Sequence, residues 1–189
     1  DASSVESYRA VMEQHGTTTF VGYETTESTS TVLTVLPVVS DSTEGGNTVE
    51  IFLDLTAFYA ESGGQVGDTG VITSSTGEAR VVDTTFALPG LRKHTCEMTR
   101  GVIESGQQVQ ASVDVLVRDA TRRNHTATHV LHWALRQVLG EHVKQAGSLV
   151  SDERLRFDFS HYASVTQDEI EQIERLANSE VLRNTQTRN

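Results

Sequence analysis

Cysteine is almost absent from this sequence: the 189 residues contain one, Cys96. A single thiol excludes an intramolecular disulfide framework and fits a reducing compartment. Long hydrophobic runs are missing too, and none approaches the roughly 20 apolar residues that a membrane-spanning helix needs. The opening Asp1-Ala2-Ser3-Ser4 has no basic start followed by an apolar core, so it does not read as a signal peptide. These absences point to a cytoplasmic protein with no membrane partner. Positive charge is scarce: 15 Lys and Arg stand against 26 Asp and Glu, a net charge of −11. That balance excludes coating of DNA, or of nucleic acid generally, through bulk charge.

What is present is an ordinary globular composition, 37% hydrophobic and 22% charged, long enough for one large domain or two small ones. Positive residues gather at Arg118, Arg122 and Arg123. A basic strip on an acidic body can bind RNA specifically while the remainder suppresses wrong contacts.

Residues 1–19 are polar, with a short helical pattern at Val5, Tyr8, Val11 and Met12, and are expected to be a linker or the tail of something longer. Residues 20–117 are strand-like. Segments 31–36, 49–55, 70–73, 79–86 and 109–117 are β-branched and apolar, in part alternating. Turn signals at Glu44-Gly45-Gly46-Asn47, 74–77, Pro89-Gly90 and Ser105-Gly106 separate them. Short strands with Gly-rich turns predict a small β-barrel or sandwich.

The pattern changes near Arg118. Ala127, Val130, Leu131, Ala134, Leu135 and Val138 recur at helical spacing up to a stop at Gly140. On that helix His125, His129 and His132 fall opposite the apolar stripe, in line with Arg118, Arg122 and Arg136. Residues 155–160 alternate as a strand with its aromatic face buried. Thr166-Gln167-Asp168-Glu169 reads as a capping box. It opens a helix with the stripe Ile170, Ile173, Leu176, Ala177 and Val181. Residues 118–189 are thus expected to be α+β. The sequence stops at Asn184 to Asn189 without a closing element, so this part reads as cut off. An open edge and an unmatched stripe would favour self-association.

His125 and His129 stand one helical turn apart, the spacing with which two imidazoles most simply share a metal ion. The other reading is a solvated face or cleft wall. A zinc-protease reading is weak, because Thr126 occupies the place of its glutamate, and a metal site of another kind remains, with one or two ligands unaccounted for. Nothing places Cys96 near the pair, and its simplest role is that of a small buried hydrophobe. The second feature is Phe58-Tyr59-Ala60-Glu61-Ser62-Gly63-Gly64-Gln65-Val66-Gly67-Asp68-Thr69-Gly70. Its glycines permit positive φ and close backbone approach. It is neither a P-loop nor a dinucleotide fingerprint, and a wide barrel hairpin is the plain alternative.

This glycine motif is followed by 124–132 (Asn-His-Thr-Ala-Thr-His-Val-Leu-His), 145–150 (Gln-Ala-Gly-Ser-Leu-Val) and 155–161 (Leu-Arg-Phe-Asp-Phe-Ser-His). In that order they resemble the editing region of the alanyl-tRNA synthetase family, shared by the free-standing AlaX trans-editing proteins. The likeness runs from about Phe20 to Asn184, and it implies that residues 1–19 are a linker or the end of a tRNA-binding region. It implies a translation-factor-like small barrel over 20–117, followed by the first part of the threonyl/alanyl-tRNA synthetase editing core over 118–189. The implied activity is hydrolysis of tRNA(Ala) mischarged with serine or glycine, with the tRNA(Ala) acceptor end as partner.

By resemblance, His125 and His129 match zinc ligands, so Zn2+ is the implied cofactor. Gln145 matches a glutamine near the misacylated substrate, and Thr128 a threonine that senses the serine hydroxyl. Gly63, Gly64, Gln65 and Gly67 match a loop beside the editing cleft. Arg118 and Arg122 would face the acceptor-end phosphates, or lie on a merely solvated face. The family's remaining two zinc ligands, a Cys-x-x-x-His motif, do not occur in this chain. An alternative from another class is therefore a tRNA-binding or scaffold module with no hydrolytic activity.

Overall fold

The structure, a computed structural model, describes residues 2–38 and 47–183. The expected turn residues Glu44, Gly45 and Gly46 and the closing stretch 184–189 lie outside the described residues. In chain order the elements are α1 (Ala2–His15), β1 (Thr19–Phe20), β2 (Glu27–Pro37), β3 (Thr48–Leu53), β4 (Leu55–Thr56), β5 (Gly70–Thr73), β6 (Gly77–Leu88), β7 (Leu91–Gly101), β8 (Gln108–Val113), α2 (Val115–Leu139), β9 (Lys144–Val150), β10 (Leu155–Ser160) and α3 (Gln167–Arg183). They fall into two units, Asp1–Ser62 with Val66–Arg118, and Gly63–Gln65 with Asp119–Asn189. None of the described helices is long and apolar enough to cross a membrane.

In the first unit six antiparallel strands close a barrel in the order β2-β3-β7-β6-β5-β8. The alternation of strand side chains turns one set inward. On β2 that set is Ser28, Ser30 and Val32, with Ser30 donating to the Ser28 hydroxyl at 3.0 Å. Ile51, Leu53, Phe58, Ile72, Val81 and Cys96 complete a dry interior. Cys96 is the small buried hydrophobe expected of it. The residue pattern left barrel or sandwich open for this half; the closed six-strand order makes it a barrel, followed as expected by helix and sheet.

Three local expectations change. Residues 1–19 are not a bare linker, because α1 lays Tyr8, Val11 and Met12 against Phe52 and Leu91. Tyr8 Oη donates to Glu50 at 2.7 Å, and Lys93 Nζ donates to the same carboxylate at 2.6 Å. Strand β7 does not stand out in the residue pattern because its inward set includes the polar His94 beside Leu91 and Cys96, and because it carries a bulge of its own at Thr99. Finally, 109–117 is not one strand. Asp114 ends β8 and caps α2, its Oδ1 accepting from the N–H groups of Leu116 (3.1 Å) and Val117 (3.2 Å). Val115, Leu116 and Val117 are β-branched or apolar, but the cap makes them the first helical turn.

In the second unit α2 and α3 share a core with the antiparallel β9–β10 pair, around Ala134, Leu135, Val143 and Ile173. Phe157 and Phe159 of β10 pack against that core, as their alternation predicted. Gly140, at φ 112°, ends α2, its N–H donating to the Arg136 carbonyl at 3.1 Å. The capping box is formed at both ends: Glu169 accepts from the Thr166 N–H (2.8 Å), and the Glu169 N–H donates to Thr166 Oγ1 (3.3 Å).

His94 is wholly buried in the barrel. Its Nδ1 donates to the Ile51 carbonyl at 2.9 Å, and its Nε2 lies 2.9 Å from Thr56 Oγ1, which also accepts from the Phe58 N–H. The neutral ring is thus fully satisfied. Burial is the main reason its pKa is pushed down from 6.5 to about 4. Because the unfolded chain binds the proton more readily, stability is complete above pH 6.5 and declines as pH falls toward 4. We expect this group to cost about 3 kcal/mol over that interval. Urea midpoints measured between pH 7 and 4 test this, and a His94→Gln variant should lose that part of the dependence.

Candidate active site

Residues 57–69 form the glycine-rich connection from β4 to β5. Its base is closed by Tyr59 and Asp68. The Tyr59 N–H donates to Asp68 Oδ2 at 2.6 Å, and the Asp68 N–H donates to the Tyr59 carbonyl at 2.9 Å. Gly67 has no room for a side chain, since a Cβ there would run into the Thr84 backbone. The buried Asp68 carboxylate is neutralised by Arg118, through Nε at 3.0 Å and through Nη2. Arg118 also donates to the Ala57 carbonyl (2.5 Å) and the Gly22 carbonyl (3.2 Å).

Arg118 therefore does not lie on an exposed basic strip. The helix begins three residues earlier than the apolar pattern suggested, which places Arg118 in its first turn, buried against the barrel loops. Arg122 is exposed, with a loose 3.8 Å pairing to Asp119.

The tip of the glycine loop, Gly63–Gln65, groups with the helix–sheet unit. Gly64, at φ 85°, accepts at its carbonyl from the Val150 N–H (2.7 Å), and Gln65 bridges Val150 in parallel. A Cβ on Gly64 would fall 2.5 Å from the Ser148 carbonyl oxygen. Only glycine allows both the left-handed backbone and this approach. The tip thus lies on the edge of β9 and carries the Gln65 side chain to α2, where Oε1 accepts from His125 Nδ1 at 2.6 Å.

That bond fixes the tautomer of His125. With Nδ1 carrying the proton, Nε2 keeps its lone pair. Burial, and secondarily the nearby His129, hold the His125 pKa below the ordinary histidine value, so the ring is neutral at neutral pH. The two rings lie 5.1 Å apart at 34°. His129 is exposed and His125 half-buried. His132 lines a recess with His129 but turns its ring toward Phe157, 5.1 Å away, and is half-buried. The apolar side of α2 is wider than its aliphatic residues alone suggested.

Thr128 is buried, its hydroxyl donating to the Asn124 carbonyl at 2.9 Å. Gln145 is exposed on β9, its Nε2 donating to Ser148 Oγ at 3.0 Å, and Ser148 in turn lies 3.5 Å from the Gly63 carbonyl. The structure therefore links His125 to Gln65 and sets its ring beside that of His129 at a tilt, and links Gln145 to Gly63 through Ser148. Two participants escaped sequence reasoning. Ser148 joins Gln145 to the loop, and Asn124 anchors α2 by donating to the carbonyls of Ser151 (2.8 Å) and Asp152 (3.1 Å). Ser148 sits inside the 145–150 motif, but its role depends on a loop more than 80 residues away in sequence.

Two imidazoles suit a zinc ion, and the Gln65 carbonyl on the far nitrogen is the kind of outer contact that orients a histidine ligand. Among the described residues no third His, Cys, Asp or Glu joins them in a group. The residues present fit two positions of such a site.

Comparison with known proteins places this geometry in a lineage. The model of class II (A) tRNA synthetases matches residues 1–117. An alanine–tRNA ligase of Shouchella clausii is 53% identical over 165 residues, covering 86% of this chain and 19% of that protein. That of Solibacter usitatus is 49% identical over 189 residues, with 97% and 21% covered. That of Sinorhizobium medicae is 42% identical over 187 residues, with 98% and 21% covered. The chain thus spans about a fifth of the length of these relatives. It belongs to the class II (A) tRNA synthetase family, over a segment that it shares with alanine–tRNA ligases.

Proposed function

We propose that this chain is the editing module of an alanine–tRNA ligase, hydrolysing the ester of seryl- or glycyl-tRNA(Ala). On this reading the barrel is the translation-factor-like one, and α2, β9, β10 and α3 belong to the editing core found in threonyl- and alanyl-tRNA synthetases and in AlaX proteins. The observation that carries the reading is the Gln65–His125 hydrogen bond. It brings the glycine motif and the histidine motif, 60 residues apart, into one constellation.

The chemistry suits those groups. Serine exceeds alanine by one hydroxyl, which an apolar pocket rejects poorly, so a second hydrolytic sieve is needed. In the reaction water adds to the ester carbonyl carbon, the bond to the ribose oxygen breaks, and that oxygen takes a proton as the free amino acid leaves. Thr128 gives its own proton to Asn124, so its oxygen is left to accept one from a serine hydroxyl. Gln145 is held at one end by Ser148 and offers the rest of its amide to the substrate. His125, neutral and bare at Nε2, can hold a proton or a metal there. His125 and His129 would be the zinc ligands, and a bound zinc would supply Lewis acidity and orientation at the ester. Arg122, exposed and only loosely paired with Asp119, would meet a phosphate of the acceptor end.

Purified chain should deacylate seryl-tRNA(Ala), and His125→Ala should lower the rate by about 100-fold or more. No turnover with tRNA binding intact would reduce the chain to a scaffold module. The role of Gln65 has a separate reading by nitrogen-detected NMR. His125 should be protonated at Nδ1, and Gln65→Ala should shift it toward the Nε2-protonated form with about 10- to 100-fold weaker activity or metal affinity. An Nε2-protonated ring in the unaltered chain would refute the assignment. At the end of α3, Val181 and Leu182 are 60% and 84% exposed, and we assign them to self-association. Sedimentation equilibrium should show dimers that Leu182→Glu dissociates; a monomer at all concentrations would exclude them.

A further inference from the structure

The barrel unit carries a second cluster that this reading does not use. Arg92 on β7 stands directly opposite Phe86 on β6. Its guanidinium carbon lies 4.5 Å from the centre of the Phe20 ring and 4.9 Å from that of Phe86. Tyr23 meets Phe20 edge-on at 5.0 Å, and Tyr59 lies 6.4 Å from Phe20. The outer rings face solvent: Tyr23 is 87% exposed and Phe86 40%.

Arg92 is half-buried, yet no carboxylate meets it. Among the described residues its guanidinium donates no hydrogen bond and forms no ion pair, and its Nε is buried without a partner. The adjacent Lys93 shows what this chain does with a cation meant only for structure: it is paired with Glu50 at 2.6 Å and accompanied by Tyr8. Ring faces compensate Arg92 only in part. A planar cation with unused donors, framed by exposed aromatic faces, matches a ligand that alternates anionic groups with flat rings. Unpaired nucleotides have that chemistry, with phosphates for the guanidinium and bases for the aromatic faces. Paired nucleotides do not, because a duplex hides its base faces. An acidic peptide offers the charge without the rings, and the acidic body of this chain opposes attraction by charge alone.

We propose that Arg92, Tyr23 and Phe86 form a binding surface for a single-stranded RNA segment, Arg92 taking a phosphate while Tyr23 and Phe86 stack bases. Phe20 and Tyr59 position these three. The proposal rests on the reading that RNA is the ligand of this chain, and it names a place on the barrel where an unpaired stretch is held.

The test is fluorescence anisotropy of the whole chain with a labelled single-stranded RNA of about eight nucleotides. Tyr23→Ala, at an exposed side chain, should weaken binding by about 5- to 100-fold. Arg92→Gln should lower the slope of log affinity against log salt by about 0.7. Arg92→Lys should restore that slope without restoring full affinity, and Arg100→Gln, elsewhere on β7, should change neither. Absence of binding, equal affinity for a duplex of the same length, preference for an acidic peptide, or a neutral Tyr23→Ala would each overturn the proposal. Loss of the editing reading shows differently: strand binding with these dependences and no deacylation would remove editing alone. Deacylation with neutral Tyr23→Ala and Phe86→Ala binding would remove this surface alone.

Discussion

Asp68 and Arg118 carry opposite charges in a place where neither could be left by itself. Both side chains are almost fully withdrawn from solvent, so each ion has exchanged hydration for the other and for backbone groups. Asp68 accepts from Arg118 and the Tyr59 N–H, while Arg118 spends its remaining donors on the Ala57 and Gly22 carbonyls. Four chain segments therefore meet at one ion pair: the turn after β1, both feet of the glycine loop, and the start of α2. An uncompensated charge there costs far more than the pair contributes, so these segments are held in a single arrangement. The loop that carries Gln65 leaves from this fixed base.

Much of the architecture could be read from residue pattern because it is local. The strand–turn rhythm of the first half narrowed it to a barrel or a sandwich, and the Thr166–Glu169 reciprocity placed the start of α3 to the residue. What escaped was non-local. An inward histidine and a bulge at Thr99 obscured β7, the Asp114 cap overrode three strand-forming residues, and α1 proved to be docked where its polar composition suggested a linker. The candidate site divides in the same way. The histidine spacing was visible on one helix. That Gln65 reaches His125, and Ser148 the Gly63 carbonyl, depends on a loop that comes back to a strand edge, which no periodicity encodes. Arg118 shows the opposite failure, since helical phase alone assigned it to solvent.

The titratable groups follow one logic. His94 and His125 are both held neutral, chiefly by burial, but their second nitrogens differ in consequence. In His94 both nitrogens are engaged by Ile51 and Thr56, so the ring is a structural strut. In His125, among the described residues, only Nδ1 is engaged, by an amide that cannot take the proton away. The same physical preference for neutrality thus produces an inert group in the barrel and an available lone pair on α2. On the proposed editing reading, that difference separates the chemistry from the scaffold.

The approach of Gly64 to Ser148 has a consequence for how this segment can vary. Nothing at Gly64 touches His125, yet its carbonyl receives the Val150 N–H, and the next residue supplies the bond to the imidazole. A methyl group at position 64 would meet Ser148 and demand a backbone angle that side chains resist. The loop would then have to lift from β9, taking the Gln65 amide with it. Residues 64, 65, 125 and 148 are thus coupled in geometry: a side chain at the first would be felt by the proton on the third.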